Sequence, residues 1–302
     1  MKKIVSIFLV FMVVFSTLSA VAAPLDVSDL SFVEDLSDQE LVDLRNFIDD
    51  ELSDRKREAA AGDDEVLATR DVPALIGETF VYAVEDYVGE REYGIEVVCV
   101  AQGSVATAIV KTFNSYNARQ TKKGEKWVLV QVRLEALSSD EEKIEFSDYY
   151  FNFVDQNGME YNRAYLSDNP AEMKALYIGS EQYAWIAVIV KDADVPMLTH
   201  KPSGGDDTAW FDLTVRKEFN GDEISEPMDK NSTGDEVLFL QRLLIGLEYF
   251  AIAPNGEYDK TTISAVKAFQ RANGLKQSGN VDEETIACLL SGEALPKPAG
   301  KK

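Results

Sequence analysis

Histidine and cysteine are almost absent from this sequence, which holds one histidine, His200, and two cysteines, Cys99 and Cys288, among 302 residues. A zinc site built from several histidines is therefore excluded. A cysteine-histidine peptidase would need His200 beside a thiol, and neither cysteine has a family motif around it. We expect no catalytic centre, no metal and no cofactor. We expect both cysteines to be small buried hydrophobic residues and His200 to be a solvated loop residue.

Basic residues are also scarce, since 53 acidic residues stand against 30 lysines and arginines and leave a formal charge of -23. Such a charge repels nucleic acid phosphates and anionic lipid headgroups. Both are therefore excluded as main partners, and a neutral or zwitterionic ligand fits better.

The sequence has no apolar run of the about 20 residues that a membrane-spanning helix needs. Residues 1–23 instead have the pattern of a secretory signal, with Lys2 and Lys3 before an apolar stretch and small residues at 19–23. Cleavage would follow Ala22 or Ala23, and no cysteine follows that could carry a lipid anchor. We expect an exported protein that does not stay in the membrane.

Residues 24–58 are predicted to contain one amphipathic helix. Ser37 and Glu40 have the spacing of a capping box, and apolar residues then follow at helical spacing: Leu41, Leu44, Ile48 and Leu52. Residues 59–78 have the composition of a solvated linker.

Residues 79–218 change to an alternating pattern that is typical of half-buried strands. Between Lys126 and Ala136, alternate positions are Val128, Val130, Val132 and Leu134. Asn157-Gly158 predicts a tight hairpin after residues 151–154, and residues 183–190, apolar on both faces, predict a central strand. About seven strands at this spacing favour an antiparallel β-sandwich.

The same stretch resembles the immunoglobulin-like accessory domains of exported Gram-positive bacterial proteins. The resemblance rests on Gly124–Val130, the turn Asp155–Gly158, Gly179 and the final Trp210–Leu213. It implies a fold more than a function.

Residues 219–231 are predicted to be a second linker, residues 232–292 a helical domain, and residues 293–302 a flexible tail. Three short helices are expected in the helical domain. They begin at Thr233, which has Glu236 at capping-box spacing, near Asp259, and at Asp282. The second should stop at Asn273-Gly274.

The helical domain also contains an internal repeat, because Val237-Leu238-Phe239-Leu240-Gln241 matches Val266-Lys267-Ala268-Phe269-Gln270. With Asn255–Tyr258, Gly274, Gly279, Val281-Asp282 and Thr285, the stretch of about 232–290 resembles the type-1 peptidoglycan-binding domain. Asp259, where the family commonly has glycine, and the long bridge 248–254 depart from the family pattern. Both lie near the loop that would shape the ligand surface.

A cell-wall glycan or stem peptide is polar with apolar sugar faces, so its recognition calls for aromatic rings beside amides and carboxylates. We expect Gln241 and Gln270 to be buried and to satisfy backbone groups. The candidate ligand-binding residues are Tyr249, Phe250, Asn255 and Tyr258, although Phe250 and Tyr258 fit the core equally well.

The sequence therefore predicts a multidomain, secreted, cell-wall-associated protein without catalytic activity, in which an N-terminal amphipathic helix and an immunoglobulin-like sandwich precede a three-helix domain that binds peptidoglycan. The sandwich or the N-terminal helix would contact a protein partner. Two alternatives stay open. One is a cell-wall hydrolase with an unrecognised pair of carboxylates, and the other is an assembly protein whose helical domain binds a protein.

Overall fold

The computed structural model describes residues 68–86, 89–202, 207–217, 223–291 and 294–298. The predicted secretory signal, the predicted N-terminal helix and residues 59–67 of the first predicted linker lie outside these residues. None of the helices in the described residues is long and apolar enough to cross a membrane.

Mostly antiparallel strands come first along the chain, with one helix among them, and three helices follow. The strands are β1 (Ala74–Ile76), β2 (Thr79–Asp86), β3 (Gly89–Gln102), β4 (Glu125–Ser139), β5 (Lys143–Ile144), β6 (Phe151–Val154), β7 (Leu176–Tyr177), β8 (Glu181–Lys191), β9 (Met197–His200) and β10 (Ala209–Arg216). Two sheets have four strands each, in the orders β1-β10-β9-β6 and β2-β3-β4-β8, and β5 pairs with β7. Among these pairings only β1 with β10 is parallel.

One apolar core lies between the two four-stranded sheets. The alternating residues of β4, Val128, Val130, Val132 and Leu134, are fully buried in it, together with Phe211 of β10 in the other sheet. The predicted alternation is therefore confirmed, because a period of two places every second side chain on the same face of a strand. The predicted turn is confirmed as well, since the Gly158 amide donates to the Asp155 carbonyl.

Strand β8 is apolar on both faces, as predicted, but it does not lie in the middle of a sheet. It stands at the end of the order β2-β3-β4-β8, and that expectation is wrong. One face joins the core between the sheets, and the other carries Trp185 and Ala187 into a second apolar cluster. Helix α1 (Gly103–Phe113), which the sequence analysis missed, adds Val105 and Ile109 to that cluster. An outer layer, not a second neighbouring strand, therefore explains the apolar residues of β8.

His200 is the clearest correction in the sheets, because it is 1% exposed and lies in β9 and not in a solvated loop. Its Nε2 atom is 2.8 Å from the Tyr93 hydroxyl, and rings of Tyr82, Tyr93 and Phe151 surround it. Burial lowers the pKa of His200 to about 3. The imidazole is therefore neutral across the physiological pH range.

Three helices form the C-terminal part: α2 (Asp235–Gly246), α3 (Lys260–Ala272) and α4 (Glu283–Leu290). The predicted starts at Asp259 and Asp282 are confirmed, since these residues cap α3 and α4. The start at Thr233 is one residue too early. Gly234 occupies the cap of α2, with a φ of 100° and no side-chain bond to the helix.

The helical domain packs directly on the second sheet through α2, and the second apolar cluster continues from Cys99 and Trp127 of the sheet to Leu240 and Phe269 of the helices. Arg242 extends from α2 to the sheet, where its Nε donates to the Gln131 Oε1 at 3.0 Å. Its guanidinium carbon lies 4.3 Å from the centre of the Tyr183 ring. Sandwich and helices thus share one continuous core.

This contact gives a first prediction. Changing Arg242 to Met should lower the free energy of unfolding by about 2–4 kcal/mol, because the buried amide of Gln131 loses its charged partner. Adding Gln131→Leu should restore part of that loss, with a coupling energy of about 1 kcal/mol or more by urea denaturation. Arg271→Met, on the exposed face of α3, is the matched control. Strictly additive effects of the two changes would contradict the contact.

Residues 294–298, predicted as part of a flexible tail, form hydrogen bonds to the helical domain. The Leu295 amide donates to the Asn273 Oδ1 at 2.8 Å, and the Lys297 amide donates to the Leu247 carbonyl at 2.9 Å. The Tyr249 hydroxyl donates to the Leu295 carbonyl at 2.9 Å. The segment therefore forms an edge of the helical domain.

Candidate functional site

Two loops of the helical domain are each built around a buried glutamine. In the first loop, residues 255–259, the Gln241 Oε1 accepts from the amides of Asn255 and Gly256 at 2.8 and 3.0 Å. The Gln241 Nε2 donates to the Glu257 carbonyl and the Thr262 hydroxyl at 3.0 and 2.9 Å. One side chain thereby fixes both sides of the loop.

The second loop, residues 278–282, repeats this arrangement around Gln270. Its Oε1 accepts from the Gly279 amide at 3.0 Å, and its Nε2 donates to the Asn280 carbonyl at 2.8 Å and to the Thr285 hydroxyl at 3.1 Å. The prediction that both glutamines are buried and serve backbone groups is confirmed, since each is 0% exposed. The internal repeat of the sequence is thus a repeat of geometry.

An aspartate closes each loop and starts the next helix. The Asp259 Oδ1 accepts from the amides of Thr261 and Thr262 at 2.8 and 2.9 Å. The Asp282 Oδ1 accepts from the Thr285 amide at 3.0 Å, and hydrogen bonds from Thr285 lower the pKa of this carboxyl. Asp259, a departure from the family pattern, is therefore an ordinary N-cap.

The glycine in each loop allows the chain to pass close to the preceding helix. Gly256 and Gly279 have φ values of 70° and 79°. These values lie in the left-handed region, which residues other than glycine strongly disfavour. A Cβ atom at Gly256 would lie 3.2 Å from Leu238, and one at Gly279 would lie 2.7 Å from Lys267. Leu238 and Lys267 are themselves equivalent in the repeat.

Three of the four candidate binding residues lie inside the helical domain. Tyr249, Phe250 and Tyr258 are 7%, 0% and 3% exposed, so the expectation of an exposed aromatic edge from these rings is wrong. Their rings pack among the apolar side chains of the three helices, where the hydrophobic effect places them. Asn255 is exposed. Ligand contact by these four residues stays a prediction.

Tyr258 instead connects the two loops. Its hydroxyl donates to the Gly279 carbonyl at 3.0 Å, and burial raises its pKa above the ordinary value. A single bridge pairs Thr233 with Glu257, and another pairs Met228 with Val281. The two loops therefore lie side by side.

An exposed polar edge remains on these loops and on Thr233, which pairs with Glu257, and we call it the loop surface: Thr233, Asn255, Glu257 and Asn280. Sequence reasoning included only Asn255 in the site. Glu257 and Asn280 could have been predicted from their positions next to Gly256 and Gly279. A polar residue in a tight turn faces water more readily than an aromatic one. Amide and carboxylate groups of this kind can donate to and accept from sugar hydroxyls and peptide groups.

The cysteines and the histidine lie in separate surroundings. Cys99 is 0% exposed, its Sγ lies 4.0 Å from the Arg242 carbonyl, and burial raises its pKa to about 12. Cys288 is partly buried, and both cysteines are free thiols. The buried-hydrophobe interpretation is confirmed for Cys99. Within the described ranges, no group of three His, Cys, Asp or Glu residues could hold a metal ion.

Three short helices, two repeated loops and an exposed polar edge define a small helical domain. Residues 233–289 match the family model described as "Putative peptidoglycan binding domain". This stretch is therefore a peptidoglycan-binding domain of that family, and the resemblance noted from its glycines, aspartates and glutamines is confirmed.

Comparison with whole proteins adds less. A search of curated proteins gave no match. Among solved structures, the yjhA protein from Bacillus subtilis is 16% identical with a TM-score of 0.32, over 46% of this chain and 98% of that chain. The secreted protein MPT63 from Mycobacterium tuberculosis is 11% identical with a TM-score of 0.34, over 46% and 95%.

Proposed function

We propose that this is an exported, non-catalytic protein that binds peptidoglycan through its helical domain at the bacterial cell wall. The family match over residues 233–289 carries the proposal. We further propose that the sheets form an immunoglobulin-like sandwich whose outer surface is available to a protein partner.

The loop surface supports the choice of ligand. Gln241 and Gln270 hold the two loops from inside, so the groups on their outer edge are fixed in place before a ligand arrives. Pre-organised polar groups lose little conformational entropy on binding. Asn255 and Asn280 offer amides and Glu257 offers a carboxylate, a set that suits the hydroxyl and acetamido groups of a glycan or the peptide groups of a stem.

The net charge also supports an uncharged or zwitterionic part of the cell wall as the ligand. With a formal charge of -23 the chain repels anionic polymers at long range, so attraction to the wall has to come from short-range contacts. Binding to a neutral or zwitterionic part of the wall should therefore persist in salt. Loss of binding between low and physiological ionic strength would indicate an ion-exchange contact instead.

The shared core supports a role in presentation. Since α2 packs on the second sheet and the Arg242 Nε donates to the Gln131 Oε1, the helical domain and the sheets are joined by one core and a hydrogen bond across it. A sandwich attached to the wall in this way would present a fixed surface to its partner.

The test is sedimentation of the full chain with purified, insoluble peptidoglycan. Asn255→Ala combined with Glu257→Gln should lower the apparent affinity about tenfold or more, because each lost hydrogen bond to a ligand is worth roughly 0.5–1.5 kcal/mol and more for a charged group. Lys276→Ala combined with Glu284→Gln changes exposed residues of the same domain. This control pair should sediment like the unchanged chain.

Point variants are preferable to removal of residues 231–302, because the second apolar cluster runs through both parts and deletion would expose it. Thermal unfolding of each variant shows that the fold is kept, which matters because the Asn255 Oδ1 also accepts from Gln241 at 2.8 Å. If the folded full chain fails to sediment with peptidoglycan, the proposed function is wrong. Release of soluble fragments from the same peptidoglycan would overturn the non-catalytic part.

A further inference from the structure

One stretch of this acidic chain is basic. Residues 111–126 hold five lysines and arginines and a single acidic residue, whereas the whole chain has a formal charge of -23. Three lysines and one arginine of this stretch are exposed: Lys111, Arg119, Lys122 and Lys123. None of the four makes an ion pair or a side-chain hydrogen bond within the described part of the chain. No direct partner in this part of the chain therefore neutralises their charges.

The four cations lie in one excursion of the chain between two neighbouring strands. The chain leaves β3 at Gln102, forms α1 and a short 3-10 turn, Asn117–Arg119, and enters β4 at Glu125. Gln102 pairs with Val128 of β4, and its Oε1 accepts from the Lys126 Nζ at 3.1 Å. The two ends of the excursion therefore meet at the sheet.

A buried asparagine fixes the tip of this excursion. Asn117 is 0% exposed, and its Nδ2 donates to the carbonyls of Val110 at 3.1 Å and of Ser167 at 3.0 Å. Its Oδ1 accepts from the Ser167 amide at 3.0 Å. Lys111 follows Val110 directly in the sequence, and Arg119 belongs to the same 3-10 turn as the asparagine. These hydrogen bonds therefore hold the backbone of both cations close together.

Two exposed tyrosines lie on the segments that carry or contact the cations. Tyr116 and Tyr165 are 61% and 76% exposed. Tyr116 directly precedes the 3-10 turn, and the Tyr165 carbonyl accepts from the Gln120 Nε2 at 2.9 Å. Both tyrosines are thereby attached to the excursion. We call the whole set the basic surface: Lys111, Tyr116, Arg119, Lys122, Lys123 and Tyr165.

Three carboxylates border the basic surface, and they do not cancel its charge. The Glu125 Oε2 accepts from the Lys122 amide at 2.8 Å. Asp168 and Asp192 are exposed on segments that are hydrogen-bonded to the excursion. The five basic residues of 111–126 still outnumber these three carboxylates. Because exposed charges are screened beyond about 8 Å at physiological salt, contact at this surface depends on its own charges more than on the net charge.

We propose that the basic surface binds a phosphodiester-linked polyol polymer of the bacterial cell wall, at a site separate from the loop surface. The lysines and the arginine pair with phosphate oxygens. The tyrosine hydroxyls can donate to phosphate, and the tyrosine rings offer apolar faces to the C–H groups of the polyol units. The choice among polyanions rests on the proposed function, since a protein at the wall meets such polymers there.

The small extent of the basic surface favours a thin, flexible chain as its ligand. A rigid nucleic acid duplex or a flat anionic bilayer would extend past the surface to the acidic remainder of the protein, which repels both. A flexible phosphodiester chain can touch the basic surface alone. Where such polymers are attached to peptidoglycan, binding at one site raises the effective concentration at the other, so the two contacts would reinforce each other.

The experiment measures binding of the full chain to synthetic poly(glycerol phosphate) by calorimetric titration at several salt concentrations. Raising the salt from about 50 to about 200 mM should weaken binding about tenfold or more, because cations that pair with phosphates release counterions. Lys122→Gln combined with Lys123→Gln should weaken binding about tenfold at low salt and reduce the salt dependence. Lys260→Gln combined with Lys276→Gln removes the same charge from exposed lysines of the helical domain. This control pair should bind like the unchanged chain.

Tyr165→Ala tests the aromatic part of the basic surface. It should weaken binding about threefold or more, because the polyol units lose an apolar face to pack on. Its salt dependence should equal that of the unchanged chain, since no charge is removed. Tyr177→Ala changes a tyrosine of β7 that is 59% exposed, and it should leave the affinity unchanged. Thermal unfolding checks that each variant keeps its fold.

The outcomes separate the two proposals, provided that the peptidoglycan for sedimentation is first freed of phosphate polymers. If the full chain sediments with this peptidoglycan but does not bind poly(glycerol phosphate), the inference falls and the proposed function stands. If it binds the polymer but not the peptidoglycan, the proposed function falls and the basic surface stands by its own measurement. Equal losses in the two lysine pairs would show a general effect of net charge and overturn the inference. Tighter binding to an oligothymidylate or to phosphatidylglycerol vesicles would overturn it as well, in favour of a nucleic acid or a membrane.

Discussion

Replacement of Gln241 by leucine should destabilise the helical domain by about 3 kcal/mol or more, because each buried polar group left without a partner costs roughly 1–3 kcal/mol. Leucine has a similar volume but no polar atoms. The amides of Asn255 and Gly256 would lose their partner, whereas the carbonyl of Glu257 would keep the Thr262 hydroxyl as a donor. A loss of this size is a large fraction of the about 5–15 kcal/mol that stabilises a typical domain.

Urea unfolding followed by far-ultraviolet circular dichroism measures this effect, and hydrogen exchange of the Gly256 amide locates it. Gln270→Leu should behave in the same way at the second loop, since Gln270 makes the equivalent bonds. Gln277→Leu changes an exposed glutamine that bonds only to Arg271 among the described residues, and it should cost less than about 0.5 kcal/mol. Equal effects at Gln241 and Gln277 would contradict the role given to the buried pair.

The repeat was visible in the sequence because its determinants are local. A glutamine near the end of one helix, a glycine that needs a positive φ and an aspartate at the next cap lie within about twenty residues of each other. Each position follows from backbone chemistry that short-range patterns express. The alternation in β4 was visible for the same reason, since one side of the strand faces a core.

Burial that depends on contacts between segments far apart in the chain could not be predicted from the sequence in this way. His200 was predicted to lie in a solvated loop, but it lies against Tyr93, which is 107 residues away in the chain. Arg242 likewise donates to Gln131 of the sheet, which is 111 residues away in the chain. Tyr249 and Phe250 lie in an unusually long bridge, and only the packed helices show that the bridge turns inward. Helix α1 was missed because its valines and alanines fit a strand pattern equally well.

The free energy of unfolding should decrease at acidic pH because of the one histidine, His200. The size of this decrease can be assigned to that single side chain. Burial lowers the pKa of folded His200 to about 3, from an ordinary value of 6.5. Between these values the unfolded chain holds one proton that the folded chain does not. The free energy of unfolding should therefore decrease as pH falls from 6.5 to 3, by about 1.4 kcal/mol per pH unit.

The carboxyl groups also contribute to stability in this pH range, so the measurement needs a variant that does not titrate. His200→Gln keeps a polar group near the Tyr93 hydroxyl and removes the imidazole, so subtracting its pH slope from that of the unchanged chain leaves the contribution of His200. Proton resonances give an independent check, because a single imidazole contributes to the spectrum. Its Hε1 signal should not shift between pH 7 and about pH 4, because the imidazole stays neutral over this range. The buried Nδ1 has no hydrogen-bond partner within the described part of the chain, so nothing there would stabilise a positive charge on the ring. A midpoint near pH 6.5 in the folded protein would show that His200 is solvated, and the burial of the aromatic cluster around it would then have to be abandoned.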